Sequence, residues 1–127
     1  MKLLSIGIII IILGISACNQ PKNKSVTPEI SSIEGEKLLS NPNYYFLDVR
    51  TITEHEALRI PNTHVIPVQE LASRLNEIKK FKDKKIIVYC RSGNRSGKGT
   101  AILNNAGFDA VNLIGGMNQW QGEVEKK

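Results

Sequence analysis

From residue 33 onward, apolar residues fall in short blocks separated by polar or turn-forming residues, and the blocks differ in period. Tyr44-Tyr45-Phe46-Leu47-Asp48-Val49 and Lys85-Ile86-Ile87-Val88-Tyr89 are short continuous runs, the pattern of strands buried on both faces of a parallel sheet. Ala110-Val111-Asn112-Leu113-Ile114 predicts another strand, and Val65-Ile66-Pro67-Val68 a short extended segment. Leu71, Leu75 and Ile78 fall at helical spacing and predict an amphipathic helix ending in Lys79-Lys80. Ser32 is expected to cap a helix whose apolar side includes Ile33, Leu38 and Leu39, with Asn41-Pro42-Asn43 as its stop. A polar helical turn is expected over 53–58, a helix over 95–106 closed by Gly107, and a short helix after Gly115-Gly116 carrying Met117 and Trp120. Strands alternating with helices predict an α/β fold: one domain over residues 32–125, with a central, mainly parallel sheet and helices on both faces.

The first 31 residues follow another logic. Lys2 precedes an apolar run that ends near Leu13 and gives way to Gly14-Ile15-Ser16-Ala17-Cys18, the charged start, apolar stretch and small residues of an export signal. The run falls short of the roughly 20 apolar residues of a spanning helix. Ile15-Ser16-Ala17-Cys18 resembles the lipobox of bacterial lipoproteins, whose signal is removed ahead of the cysteine. That resemblance implies a signal peptide over residues 1–17 and acyl chains such as palmitate on Cys18. It also implies a location in the bacterial cell envelope, with the domain outside the cytoplasm. Residues 19–31, polar and interrupted by Pro21 and Pro28, are expected to be a flexible tether.

Composition narrows the function classes. In a chain of 127 residues, 41% hydrophobic and 23% charged, a single core is affordable and disorder is disfavoured. The net charge is +5, or +4 once Lys2 leaves with the signal. Lys22, Lys24 and Lys126-Lys127 lie in tails, and the Lys79-Lys80 and Lys84-Lys85 pairs read as solvated surface. No basic stripe interleaved with aromatics marks a nucleic-acid partner, although a mild attraction for anionic substrates or headgroups remains. Two cysteines make no disulfide framework, and one free cysteine with the scattered His55 and His64 makes no metal site. No Gly-Lys-Ser/Thr follows at P-loop spacing, and no cofactor is expected.

The chemistry concentrates where the third block ends in Cys90, followed by Arg91-Ser92-Gly93-Asn94-Arg95-Ser96-Gly97 and a helix. Ligand sites in open parallel sheets lie beyond the carboxyl ends of strands. A loop of small residues can curl until its N–H groups converge on the cysteine sulfur, and the following helix points the positive end of its dipole there. With Arg91 and Arg95 nearby, the thiol is expected below its usual value near 8.5, as a nucleophilic thiolate. A buried packing cysteine would have no use for such a polar, basic succession.

Cys90-Arg91-Ser92-Gly93-Asn94-Arg95-Ser96 resembles the active-site loop Cys-x-x-Gly-x-Arg-Ser/Thr of single-domain members of the rhodanese-like family. Leu47-Asp48-Val49-Arg50 with Glu54, and the closing Gly107-Phe108, Val111, Leu113, Gly115-Gly116 and Trp120, resemble two further family segments in the same order. Residues 55–67 depart from it, since Leu58 and Arg59 stand where the family has Gly-His. The resemblance implies a sulfurtransferase without a cofactor. A small anionic donor such as thiosulfate would load Cys90 with a persulfide. A thiol or cyanide acceptor, or an exported thiol protein, would unload it. Residues 91–96 would bind the substrate and persulfide, with Arg91 steering the anion and Arg95 bracing the loop with Asp48; Asp48 and Arg50 would support the site. Four residues separate Cys90 from Arg95, against five in dual-specificity phosphatases and arsenate reductases, which suits a sulfur atom better than a tetrahedral phosphate. Without a second cysteine in a C-x-x-C pair, a thioredoxin-like role lacks support. The alternative to an enzyme is a docking, persulfide-carrier or sensor module without turnover.

Overall fold

The computed structural model describes residues 26–127. The expected signal, Cys18 and most of the tether lie outside the described residues. Five strands form one sheet in the order β1-β5-β4-β2-β3: β1 (Glu29–Ser31), β2 (Tyr44–Asp48), β3 (His64–Val65), β4 (Lys85–Tyr89) and β5 (Asp109–Ile114). All neighbouring pairs are parallel, with Leu47 of β2 opposite Val88 of β4 and Val88 opposite Asn112 of β5. Parallel strands need covered crossovers, and these are α1 (Ser32–Leu38), α2 (Ile52–Ala57), α3 (Val68–Leu71), a 3-10 helix over Leu75–Phe81, α4 (Asn94–Asn105) and α5 (Gly116–Gln119).

The period of two divides the core between the faces. Tyr45, Leu47, Ile86, Val88, Cys90 and Ala110 meet Leu71, Ile78 and Leu103 on one side. Phe46, Ile87, Tyr89, Val111 and Leu113 meet Ile60 and Trp120 on the other, with Leu38, Leu39 and Met117 packed against them. Both layers therefore meet on β4, and Cys90 follows directly after its last residue, Tyr89.

Several elements differ from expectation for physical reasons. Glu29–Ser31, expected in the tether, pair with Asn112–Ile114 as an edge strand, a contact too short to leave a periodic signal. Ser31, not Ser32, caps α1: its hydroxyl accepts from the Glu34 N–H and the Glu34 carboxylate accepts from the Ser31 N–H, a capping box. Ser32 is buried and donates instead toward the Ile114 and Gly116 carbonyls. The inward stripe of α1 thus runs through Ser32 and Gly35, where a Cβ would strike Leu113, and Ile33 is 63% exposed rather than on the apolar side. The helix expected from Leu71 to Lys80 is broken into α3 and the 3-10 segment. There the Ser73 N–H and hydroxyl both take the Glu70 carbonyl and an i→i+3 bond joins Arg74 to Leu71. Leu71 and Ile78 stay buried across the break.

Ile87, fully buried in the central strand, is expected to lose about 2–5 kcal/mol of stability as Ile87→Ala, whereas Ile33→Ala should change it by less than about 0.5 kcal/mol, as read by urea unfolding.

Candidate active site

β4 ends at Tyr89, and the side chain of Cys90 continues the Ile86–Val88 face, only 1% exposed. The chain then turns back through Gly93, whose φ of +107° is closed to most side chains, and enters α4 at Asn94. This reversal aims the Gly93 N–H at Cys90 Sγ from 3.1 Å and the Ser96 N–H from 3.4 Å, with the Ser96 hydroxyl at 3.3 Å. The twelve-residue α4 points its N-terminal end at the same sulfur. Burial pushes the Cys90 thiol up, but hydrogen bonds from the Ser96 hydroxyl and from the N–H groups of Ser96, Gly93 and Ser92 outweigh it and hold the thiol below its ordinary value.

Asn112, absent from the expected site, completes this cradle. It lies on β5 in the same inward register as Ala110, and its amide is used at both ends: Nδ2 donates to the Gly93 carbonyl at 3.1 Å, and Oδ1 accepts from the Ser96 hydroxyl at 2.6 Å. The Ser96 hydroxyl has one proton and two claimants. While it serves Asn112 it can accept from the Cys90 thiol, and it is free to turn when the sulfur is anionic. The available signal was a lone amide at an inward position of an otherwise apolar strand. From the opposite side, Met117 N–H donates to the Cys90 carbonyl at 2.9 Å and Asn118 N–H to the Arg91 carbonyl at 3.0 Å. Gly116 at φ +47° makes that approach possible, since a Cβ there would collide with the Cys90 carbonyl oxygen.

The charged residues pair differently from expectation. Arg95 does brace the loop, but on Glu54 and not on Asp48: its Nη1 and Nη2 bind both Glu54 oxygens at 2.7 and 3.0 Å. That hydrogen bond holds the Glu54 carboxyl down at about 2. Glu54 also accepts from the Thr51 N–H and hydroxyl as the capping box of α2, so one carboxylate joins the loop after β2 to the start of α4. Asp48 is already occupied. Its oxygens accept from the Arg50 N–H, Nε and Nη2 and from His55 Nδ1, and the Arg50 guanidinium lies over the Tyr89 ring and donates to the Leu58 carbonyl at 2.6 Å. His55 is therefore a structural partner, and His64 binds the Tyr45 hydroxyl at 2.6 Å across β2 and β3.

Arg91, Ser92 and Asn94 are exposed around this frame, while Gly93 and Ser96 are buried. Arg91, which has no ion pair among the described residues, lines an open recess of about 320 Å³ with Arg50, Glu54, Ala57, Leu58, Met117 and Asn118. The arrangement can hold an anion on Cys90 with neutral donors and receive a further anion at Arg91.

A model of the rhodanese-like domain matches residues 32–123. The chain belongs to the rhodanese family. A putative sulfurtransferase of Bacillus subtilis, YtwF, is 34% identical over 92 residues, covering 72% of this chain and 87% of that protein. The putative sulfur carrier protein YrkF of Bacillus subtilis is 36% identical over 107 residues, covering 82% of this chain; this chain spans only 56% of that relative's length. The crystal structure of a rhodanese-like domain protein from Staphylococcus aureus superposes with a TM-score of 0.71 at 33% identity, covering 80% of this chain and 99% of that one. Within this rhodanese domain the departure at Leu58-Arg59 is absorbed by backbone pairing. Arg59 and Glu125 exchange N–H and carbonyl bonds at 3.0 and 2.8 Å, and their side chains form an ion pair at 3.2 Å.

Ser96→Ala removes a hydrogen bond that holds the Cys90 thiol down, so the thiol pKa should rise. Alkylation by iodoacetamide at neutral pH should slow accordingly, and the rate profile should shift to higher pH.

Proposed function

We propose that this rhodanese is a sulfurtransferase that moves sulfane sulfur from a donor such as thiosulfate to a thiol or cyanide through a persulfide on Cys90. The convergence of Gly93 N–H, Ser96 N–H and the Ser96 hydroxyl on a buried sulfur is the observation that carries this reading. In the first half-reaction the Cys90 thiolate attacks the outer sulfur of thiosulfate. The new S–S bond forms as the bond to the sulfite sulfur breaks, and sulfite leaves with that electron pair. Cys90 then carries S–S⁻. The loop N–H groups from Arg91 to Ser96 would stabilise this anion, as oriented donors stabilise other developing charges. In the second half-reaction a thiolate or cyanide attacks the outer sulfur, leaving as a persulfide or thiocyanate and returning the Cys90 thiolate.

Arg91 suits the approach of the donor because its guanidinium is exposed at the recess and carries no ion pair among the described residues. Arg95 and Arg50 are committed to Glu54 and Asp48, and their part is to hold the frame. The second element of the proposal is placement: acylation of Cys18 would tether the domain to a membrane of the cell envelope, outside the cytoplasm. It is supported by Ile15-Ser16-Ala17-Cys18 and the apolar run before it.

Incubation with thiosulfate should add one sulfur atom to the intact mass of the protein and none to Cys90→Ser. Cyanide should remove it repeatedly with one thiocyanate per cycle, and Arg91→Ala should raise KM for thiosulfate roughly fivefold to tenfold with a smaller change in kcat. A folded, reduced protein that takes no sulfur from thiosulfate or polysulfide would sink the enzyme reading. Loading without repeated discharge would leave a carrier.

A further inference from the structure

The end of the domain opposite Cys90 carries a charge pattern that the site chemistry does not use. Residues 79–85 hold five lysines and one aspartate; Lys79, Lys80, Lys82 and Lys85 are exposed and Lys84 is half-buried. Lys85 is paired with Asp109 at 3.7 Å, and the other four have no ion pair among the described residues. Glu77 is engaged by Arg74 and leaves Asp83 as the neighbouring unpaired acid on that segment.

These cations are set on aromatic rings. The Lys80 and Lys84 ammonium groups lie 5.1 and 5.9 Å from the centroid of Phe81, and Lys82 lies 5.4 Å from that of Phe108. Phe81 is itself stacked on Tyr45 with centroids 3.7 Å apart, so the positions of the charges are tied to the core.

The topology then decides which way this end faces. All strands are parallel, and β4 starts at Lys85 and delivers Cys90 at its far end. Lys79 and Lys82 border a recess with Ala106 and Phe108 at the end of α4. The first described residues, Val26, Thr27 and Pro28, lie against Ala101, Asn104 and Asn105 of the same helix. The chain therefore enters the domain at the lysine-bearing end. Seven residues lie between Cys18 and Val26, and these eight steps reach at most about 29 Å even when fully extended.

We propose that the lysine-rich end, Lys79 to Lys85, docks on an anionic lipid bilayer, so that the domain stands on the membrane with the Cys90 loop and the Arg91 recess directed toward the aqueous phase. This rests on the tethering reading above for its distance, and on charge complementarity for its choice of surface. Clusters of four to eight lysines beside a membrane attachment bind anionic headgroups, and the attraction decays over a Debye length of about 8 Å at physiological salt. A domain so oriented meets water-soluble donors and acceptors at a site turned away from the lipid.

The test uses the full chain with vesicles of phosphatidylcholine alone or with about a third phosphatidylglycerol, and brief lysine acetylation read by mass spectrometry. On the anionic vesicles Lys79, Lys80, Lys82 and Lys84 should label about fivefold more slowly than on the neutral ones, with Lys98, on the Cys90 side of α4, unchanged. Salt at about 1 M should erase the difference. The combined variant Lys79→Gln, Lys80→Gln, Lys82→Gln and Lys84→Gln should retain its Cys90 alkylation rate, and in it Lys85 should label equally on both vesicles. Equal labelling of the four lysines on both surfaces, or equal protection of Lys98, overturns the proposal. Failure to stay on neutral vesicles counts against the Cys18 anchor alone, because the footprint on anionic vesicles still decides the docking face; a chain that binds neither surface overturns both.

Discussion

A buried sulfur whose thiol is held below its ordinary value has to be met by donors, and among the described residues every donor within hydrogen-bond distance is neutral. That constraint explains the geometry around Cys90. Backbone N–H groups have no reach of their own, so the loop must curl tightly enough to bring residues 93 and 96 onto one atom. A glycine at positive φ supplies the turn and the start of α4 supplies the second amide. A curled loop is held only from outside. Asn112 grips it from β5, Met117 and Asn118 from the closing helix, and Glu54 through Arg95 from α2. Three separate parts of the chain thus share one task, holding the loop's donors on the sulfur.

The arginines gain a different meaning in this light. Arg50 and Arg91 line the recess and Arg95 lies at the start of α4, yet among the described residues no hydrogen bond joins a guanidinium to the sulfur. Arg50 is locked on Asp48 and stacked on Tyr89, and Arg95 is locked on Glu54. Arg91 is left exposed at the recess. Locking two cations by bidentate pairing keeps their charge near the site while denying them the freedom to seize a passing anion. The rim segment around Leu58 is held by the Arg50 bond to its carbonyl and by the Arg59–Glu125 pairing, so an altered sequence there still meets the core at a defined height.

The central strands, the Cys90 loop and the helix behind it were legible in the sequence because each leaves a local pattern: a continuous apolar run, a glycine-bearing polar loop, a helical block closed by Gly107. What escaped depends on partners distant in the chain. Three residues of β1 have no periodicity to read and exist as a strand only because β5 offers a free edge. Arg95 finds Glu54 across 41 positions, a pairing that no spacing rule ranks above Asp48. Asn112 looks like an isolated polar residue until the register puts it under Ser96. Ser31 is the instructive exception, since its capping partner Glu34 is three residues away and the shift from Ser32 was open to a stricter reading of that spacing.

The position of β5 has a consequence for the chain during its synthesis. Among the described residues it is the last strand in chain order, yet it sits inside the sheet between β1 and β4. Chains emerge from the amino terminus, so Cys90 appears before Asn112, Met117 and Asn118, which restrain its loop. Until β5 is in place, the edge strand has no neighbour and the Cys90 loop lacks the restraints from Asn112, Met117 and Asn118. The lowered thiol value at Cys90 thus depends on restraints supplied by residues that follow it in the chain.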